Sequence, residues 1–488
     1  MLFWLTITPR CHTICIVNDD LEIIMKAFLP IVVAGIVLAG CQTTTAQNSV
    51  NEKFTVTSSD VKSVAYNPQY AKNKDFIKTP IRDFKVPDNF TMIDDWNSFW
   101  AFHDDNIRGR FPDSGGGAVE YYSKHIDIEK CLYDLQRTNT ITSSKTNNSA
   151  DSAAVQAMCY AGFAQRFAHD PHKGVEVYKS ILTYWIENDV IKNWKATGNK
   201  VSLRGRNQRV DWVYHFTTSV SKIASHYSLW HRFYKFDADM HKKVDEMFTT
   251  YAATFSHYDA YQKSGSHFSK LCNVKSSKPR IWKNSTNDHC GSYNMHQAVG
   301  LITYGLEFEN QLVFDRGVQH LEIMISAFDK NHMNRSHIGR GEQGLSYSAS
   351  MGPALDQIDY LLDKAFGFDL INMETVHGTT PGKTWANLYN VANNPSLMKP
   401  YYIPNGDDFP RMIKQIENGK LNKQALWNAY DLRKYFTQAP TIAKQFYPDE
   451  YKKHMYCVRL ATCRQRFLTD DQVMGWSSLQ VRLTQNKF

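Results

Sequence analysis

Apolar and aromatic residues return at three- and four-residue steps along much of residues 95–470, and alternating strand patterns are few. Segments 152–168, 174–188, 212–236, 239–258, 294–309, 314–329 and 352–368 each carry such a stripe. A stripe at this period is one face of a helix, and it must be buried against another element. The stretches between them, such as 113–117, 263–277 and 372–383, are rich in Gly, Ser, Asn, Pro and Lys and read as loops. The pattern predicts an all-α protein. A helical domain of roughly 380 residues is large for one bundle. An (α/α) toroid, or incomplete barrel, of antiparallel helix pairs reaches this size as a single large domain and leaves a central cleft. No fixed-period repeat is visible in the sequence.

The start of the chain reads as an export signal. Met25-Lys26 opens an apolar run from Ala27 to Ala39, which ends in Leu38-Ala39-Gly40-Cys41. A basic residue, a short apolar core and small residues before a cleavage point make a secretory signal. The run is too short to span a bilayer comfortably. A Cys directly after Leu-Ala-Gly is the bacterial lipoprotein form, in which Cys41 takes lipid and becomes the new N-terminus. Gln42, where Asp would retain a lipoprotein at the inner membrane, favours the outer membrane. Residues 1–24 hold Asp19, Asp20 and Glu22, unlike a basic signal, and read as lying upstream of the true start at Met25. The expected division is an upstream segment 1–24, a signal peptide 25–40, a lipidated Cys and polar tether 41–90, and a helical domain 91–488 that acts as a monomer.

Charge narrows the partners. The formal net charge is +8, and the part from Cys41 onward is slightly more basic, because the leader holds more acid than base. A mildly basic exported protein suits an anionic polysaccharide. Such a balance is too weak to argue for nucleic acid. Six cysteines follow Cys41, at 131, 159, 272, 290, 457 and 463; six permit fifteen disulfide pairings, and Cys457–Cys463 and Cys272–Cys290 are the local candidates. Gly115-Gly116-Gly117 lacks the Lys-Ser/Thr of a phosphate loop. His289, Cys290 and His296 match no zinc spacing. The expectation is therefore no cofactor and no metal.

Two segments carry chemistry. One reads Asn287-Asp288-His289, flanked by Trp282 and Tyr293; the other runs from Arg340-Gly341-Glu342 to Ser346-Tyr347. Together they supply a His, an Arg and a Tyr, the set needed to remove a proton next to a carboxylate. Cleaving a polyuronate by elimination requires that the carboxylate be neutralised, that a base take the neighbouring proton, and that an acid protonate the departing oxygen. Fixed donors aimed at the developing charge are each worth about a hundred- to a thousandfold, and positioned acid–base groups about a hundred- to ten-thousandfold. Arg340 fits the carboxylate clamp, because its fork matches a carboxylate. His289 fits a base or neutraliser just before a helix whose first amides can help bind an anion. Tyr347 fits the acid, or acid and base together. Each has an ordinary structural alternative: a loop histidine, a salt bridge to Glu342, and a core aromatic.

The first segment resembles the Asn-Asn-His motif of family 5 polysaccharide lyases, the helical alginate lyases. The second, with Tyr seven residues after the Arg, resembles that family's Arg…Tyr segment, and the separation of the two segments agrees. Arg206-Asn207-Gln208 leading into Trp212-Val213-Tyr214 resembles the family's cleft-lining helix more loosely. The similarity spreads over residues 130–370. It implies an (α/α) toroid or incomplete barrel, Tyr347 as catalytic acid/base with His289 beside it, Asn287 and Arg340 neutralising the carboxylate, and Arg206 and Asn207 on a cleft-lining helix. Trp282, Tyr293, Trp212 and Tyr214 lie beside these segments and offer aromatic faces on which sugar rings pack, with helix-packing core as the alternative for each. The family's second Asn is Asp288 here. Asp288 is either neutral, held so by burial and like charge, or orients His289. A sister group, family 38, acting on alginate or glucuronan, has Asn-Asp-His and is similar too.

The expected activity is thus β-elimination in an anionic 1,4-linked polyuronate, mannuronate-rich alginate first and glucuronan second. Two other classes remain. A glycoside hydrolase of the same helical type would need two flanking carboxylates, with Asp288 and Glu342 in those places. A noncatalytic polysaccharide-binding lipoprotein would keep the aromatic cleft without needing the Tyr.

Overall fold

The computed structural model describes, with short gaps, residues 81–103, 179–189, 220–254, 292–334, 348–397 and 439–452, together with Asn418. Two compact units divide the chain, Met1–Thr55 and Val56–Phe488, and every described residue lies in the second. Among the described residues all regular structure is helical, and the one β contact is an isolated bridge between Phe328 and Asn334. After a 3-10 turn at Ile81–Asp83 come α1 (Trp96–His103), α2 (Ala238–Thr254), α3 (Ser292–Glu307), α4 (Gln311–Ser326), α5 (Met351–Phe366), α6 (Pro381–Asn393) and α7 (Pro440–Phe446). Residues within 220–231 are also helical, and the turn of α5 is already under way at Ser348 and Ala349.

Side-chain pairings fix how these helices run. Tyr251 meets Gln297 while Asp245 meets Tyr304, so α2 and α3 are antiparallel. Gly305 faces Phe314 and Gly317 faces Ile302, so α3 and α4 are antiparallel too. The stretch 220–231 runs with α3: Ser221 lies against Gly300, and the rings of Tyr227 and His231 pack on Phe308 at 5.4 and 4.5 Å. At the far end of α3, Glu307 Oε2 accepts from Met92 N at 2.8 Å, and the Met92 carbonyl accepts from Tyr360 OH at 2.9 Å. At the near end, Asn334, just after α4, donates to Met351 Sδ. Helix α5 therefore runs parallel to α3. The indole of Trp385 sits on Gly352, and Gly382 sits on Ile371, whose amide is held by Asp359, which makes α6 antiparallel to α5. Each helix in this series reverses its predecessor, as the expected helix pairs require.

Local chemistry sets the reversals. Asn310 caps α4, its Oδ1 accepting from Val313 N at 3.2 Å. Its Nδ2 donates to Asp245 Oδ1 at 2.9 Å and Thr249 Oγ1 at 2.8 Å, so one cap also ties α4 to α2. Thr380 caps α6 ahead of Pro381, which suits a first helical position because its missing N–H has no partner there anyway. The expected loop 372–383 thus ends where this cap begins the helix. Gly367, at φ +64, ends α5 in the left-handed region that other residues resist. Buried Asp359 then folds the chain back, its Oδ1 accepting from Leu370 N and Ile371 N at 3.0 and 3.2 Å.

The segment 81–90, expected to be part of the tether, packs onto the domain. Ile81 and Phe90 are buried, and Phe84 stacks on Phe366 with ring centres 4.5 Å apart. Gln311 holds it in place, donating to Phe84 O and accepting from Val86 N. Polar composition hides a few apolar residues, Ile81, Phe84, Val86 and Phe90, spaced to cover one edge of the core.

Close approach along α3 depends on hydrogen in place of a methyl. A Cβ on Gly300 would stand 2.3 Å from Ser221 O, and one on Gly305 2.5 Å from Phe314 N. Backbone atoms cannot step aside as a side-chain tip can. Gly300→Ala and Gly305→Ala are each expected to lower stability by about 1–3 kcal/mol, read as a lower urea midpoint at unchanged slope. Wild-type midpoints in both variants would mean that the helices have room to spare.

Candidate functional site

Helix α3 is buried at every position from Asn294 to Glu307. Yet it carries Asn294, His296, Gln297, Thr303, Tyr304 and Glu307. Buried polar groups need partners, and here they gather at the two ends of the helix. At the N-terminal end, Asn294 Oδ1 and His320 Nδ1 lie 2.8 Å apart, and Tyr251 OH donates to Gln297 Oε1 at 2.9 Å. With the Asn294 amide oxygen accepting, the His320 proton sits on Nδ1. This layer is formed by α2, α3 and α4 and lies under the first turn of α3.

That end of the domain is where the two chemical segments join the described structure. Because α3 and α5 are parallel neighbours, their N-termini share an end. Asn287, Asp288 and His289 precede Ser292, the first residue of α3; Tyr347 precedes Ser348, the first described helical residue before α5. The first-turn amides of both helices have no intrahelical acceptor and suit an anion. Antiparallel α2 and α4 bring their carbonyl ends to the same side, so any such attraction comes from local amides rather than from summed helix dipoles.

Of the residues expected in the site, Tyr293 is the second residue of α3, with its side chain outside the described set. Asn287, Asp288, His289, Trp282, Arg340, Tyr347, Arg206, Asn207, Trp212 and Tyr214 all lie outside the described residues, as do Glu342, Cys41 and the six later cysteines. Among the described residues no three His, Cys, Asp or Glu side chains group to hold a metal ion. None of the described helices is long and apolar enough to cross a membrane.

Comparison with solved structures finds a distant likeness to an alginate lyase. That protein is alginate lyase A1-III from Sphingomonas species A1, at 13% identity and a TM-score of 0.39, over 55% of this chain and 65% of that one. The chain thus spans about two-thirds of that lyase's length. No family model matches, and no curated protein matches. A likeness this loose assigns no residue a role.

The Asn294–His320 and Tyr251–Gln297 pairs are absent from the site that motif spacing predicts. A signal for them exists: Gln319-His320 interrupts the apolar face of α4, and Asn294 and Gln297 interrupt that of α3. Isolated polar residues within a buried stripe mark places where two helices must exchange hydrogen bonds.

The other end of α3 holds a second buried polar group among aromatic rings. His231 Nδ1 donates to the carbonyls of Tyr227 and Ser228 at 3.2 and 3.1 Å, and its Nε2 lies 4.0 Å from Glu307 Oε1. Tyr227 OH and His241 Nδ1 share a hydrogen bond of 2.8 Å, and Phe308 packs on the His241 ring at 4.7 Å. Burial pushes the Tyr227 phenol up and the His241 imidazole down, from 6.5 to about 4. Burial also raises Asp245, against hydrogen bonds from Asn310 and Tyr304 that lower it.

These shifts make stability depend on pH. The unfolded chain protonates His241 near 6.5 and the folded chain only near 4. Between those values the unfolded state binds more protons, so stability falls as pH drops, by up to about 3 kcal/mol from this group. Asp245 acts in the opposite sense, since an acid raised by burial costs least when protonated. Comparing the wild type with His241→Asn cancels that contribution. Urea midpoints measured from pH 7 to 4 should fall less steeply in the variant; parallel curves would contradict the assignment.

Proposed function

We propose that the chain is a polysaccharide lyase that cleaves an anionic 1,4-linked polyuronate by β-elimination, with mannuronate-rich alginate as first substrate and glucuronan as second. The observation that carries this reading is the shared end of α3 and α5. The segment with Asn287 and His289 feeds one helix, the segment with Arg340 and Tyr347 feeds the other, and parallel packing puts the starts of the two helices on one side of the domain. The helix pairs continue, in this reading, into an (α/α) toroid with its cleft at that side.

The chemistry follows from the residue types. Arg340 and Asn287 hold the carboxylate and neutralise the charge that builds on it as the carbon 5 proton leaves. His289 or Tyr347 takes that proton, according to whether it lies opposite to the leaving group or on the same side. The electrons of the broken C–H bond form the double bond between carbons 4 and 5 as the bond from carbon 4 to the glycosidic oxygen breaks. Tyr347 gives the departing oxygen its proton. Asp288 orients His289 or stays protonated beside the substrate. Trp282, Tyr293, Trp212 and Tyr214 offer rings to the sugars, and Arg206 and Asn207 meet polar groups along the chain. Lipid on Cys41 anchors the enzyme at the outer membrane, facing the periplasm or the cell surface.

Incubation with polymannuronate, polyguluronate and glucuronan should raise ultraviolet absorbance from unsaturated uronate ends with one polymer. Tyr347→Phe should reduce that rate by about a hundredfold or more while binding persists. New reducing ends without absorbance would mean hydrolysis instead, and binding without any product would mean a noncatalytic receptor. Robust turnover by Tyr347→Phe would remove Tyr347 from the mechanism. Cys41→Ser should move the protein from the membrane fraction to the soluble fraction, and continued sedimentation with membranes would count against the lipid anchor.

A further inference from the structure

We propose that α6 clamps both ends of the segment 335–347, and that Trp385 and Asn387 are positioning residues for the reaction. The inference rests on the lyase reading, in which that segment carries Arg340 and Tyr347.

The chain reaches the segment through a turn at 329–334. His332 there has φ +57, a left-handed conformation that costs a non-glycine residue free energy and persists only where surroundings enforce it. Helix α6 supplies the enforcement. Asn387 Nδ2 donates to the carbonyls of Asn331 at 3.3 Å and His332 at 3.1 Å, and also approaches Met333 Sδ at 3.6 Å. His332 Nδ1 lies 2.7 Å from Thr379 Oγ1, which in turn pairs with Thr384 Oγ1 of α6 at 3.1 Å.

Beyond the segment, the described chain resumes in a helical turn at Ser348 and Ala349. The carbonyl of Ala349 would ordinarily accept from the amide four residues on, but that residue is Pro353, which has no N–H. Trp385 Nε1 takes the vacant acceptor at 3.0 Å, and Gly352 leaves room for the indole, since a Cβ there would stand 2.1 Å from Nε1. The two ends also meet directly through Asn334 and Met351. Trp385 and Asn387 sit two residues apart on one helix, and between them they hold the residues just before and just after 335–347. A catalytic group displaced by an ångström can lose about a hundredfold in rate, so a fixed base for this segment has direct kinetic value.

The test uses the full chain with Trp385→Phe, which keeps the ring bulk and removes the N–H, and Asn387→Ala, made singly and together. Amide hydrogen exchange is followed by mass spectrometry, and kcat and KM are measured on the polymer that the wild type cleaves. The expected result is faster exchange confined to peptides spanning 329–350, with α2 to α4 unchanged. Turnover should fall about tenfold to a hundredfold with KM nearly constant. Unchanged exchange at 329–350, or exchange that quickens equally throughout the domain, would overturn the clamp. Should Trp385→Phe fail to fold, the half-buried Asn387→Ala carries the test alone. A wild type that yields no unsaturated product defeats the lyase reading, while the exchange result still decides the clamp.

Discussion

A helix enclosed on all sides has no water to satisfy its side chains, so every polar atom it carries must find a partner within the protein. Helix α3 lives under that rule from Asn294 to Glu307. Its middle is nearly all apolar, and glycines at 300 and 305 let the stretch 220–231 and α4 come to backbone contact. The polar residues are left to the ends, where Gln297 takes a hydrogen bond from α2 and Asn294 pairs with α4. Glu307 reaches forward to Met92. Four neighbours are therefore oriented by one helix. The backbone contacts fix their distance, and the polar pairs fix their register.

The helical periods at 239–258, 294–309, 314–329 and 352–368 correspond to α2, α3, α4 and α5. The starts of α4 and α6 have physical reasons. Asn310 reads as one more polar residue in a turn, but its carbonyl-bearing side chain makes it a cap, and the helix starts directly after it. Thr380-Pro381 lies inside a stretch rich in loop residues, and the cap-plus-proline pair outweighs that composition. Residues 81–90 are harder to read. Their apolar residues have no regular period because the segment is a 3-10 turn, irregular chain and a second turn, and takes its place from hydrogen bonds to Glu309 and Gln311. Long-range contacts of that kind leave no local trace.

The proposed site is legible in a different way. Its proposed chemistry is named from residue types and spacing, because elimination next to a carboxylate restricts which side chains are useful. The frame behind it is not legible in that way. The pairing of Asn294 with His320 joins positions in two helices, and nothing in either helix alone marks the partner. The same holds for Pro353: within the sequence it looks like a weak point near the start of α5, and only the indole of Trp385 explains how the orphaned Ala349 carbonyl is satisfied.

Preorganisation links these features. Groups that stabilise developing charge work best when they need not move during the reaction. Their rigidity has to come from the elements behind them. Helix α3 cannot slide along α4 without driving Gly305 into Phe314, nor along 220–231 without losing its seat on Ser221. Helix α5 is tied at one end to Met92 through Tyr360 and at the other to α6 through Trp385. Two parallel helices locked in this manner present their first turns at a fixed separation. Under the proposed chemistry, the frame converts the entropy of assembling His289, Arg340 and Tyr347 around a sugar into a cost met during folding rather than at each turnover. Weakening the frame should then reduce turnover before it reduces binding, because binding a polymer tolerates small displacements that proton transfer does not.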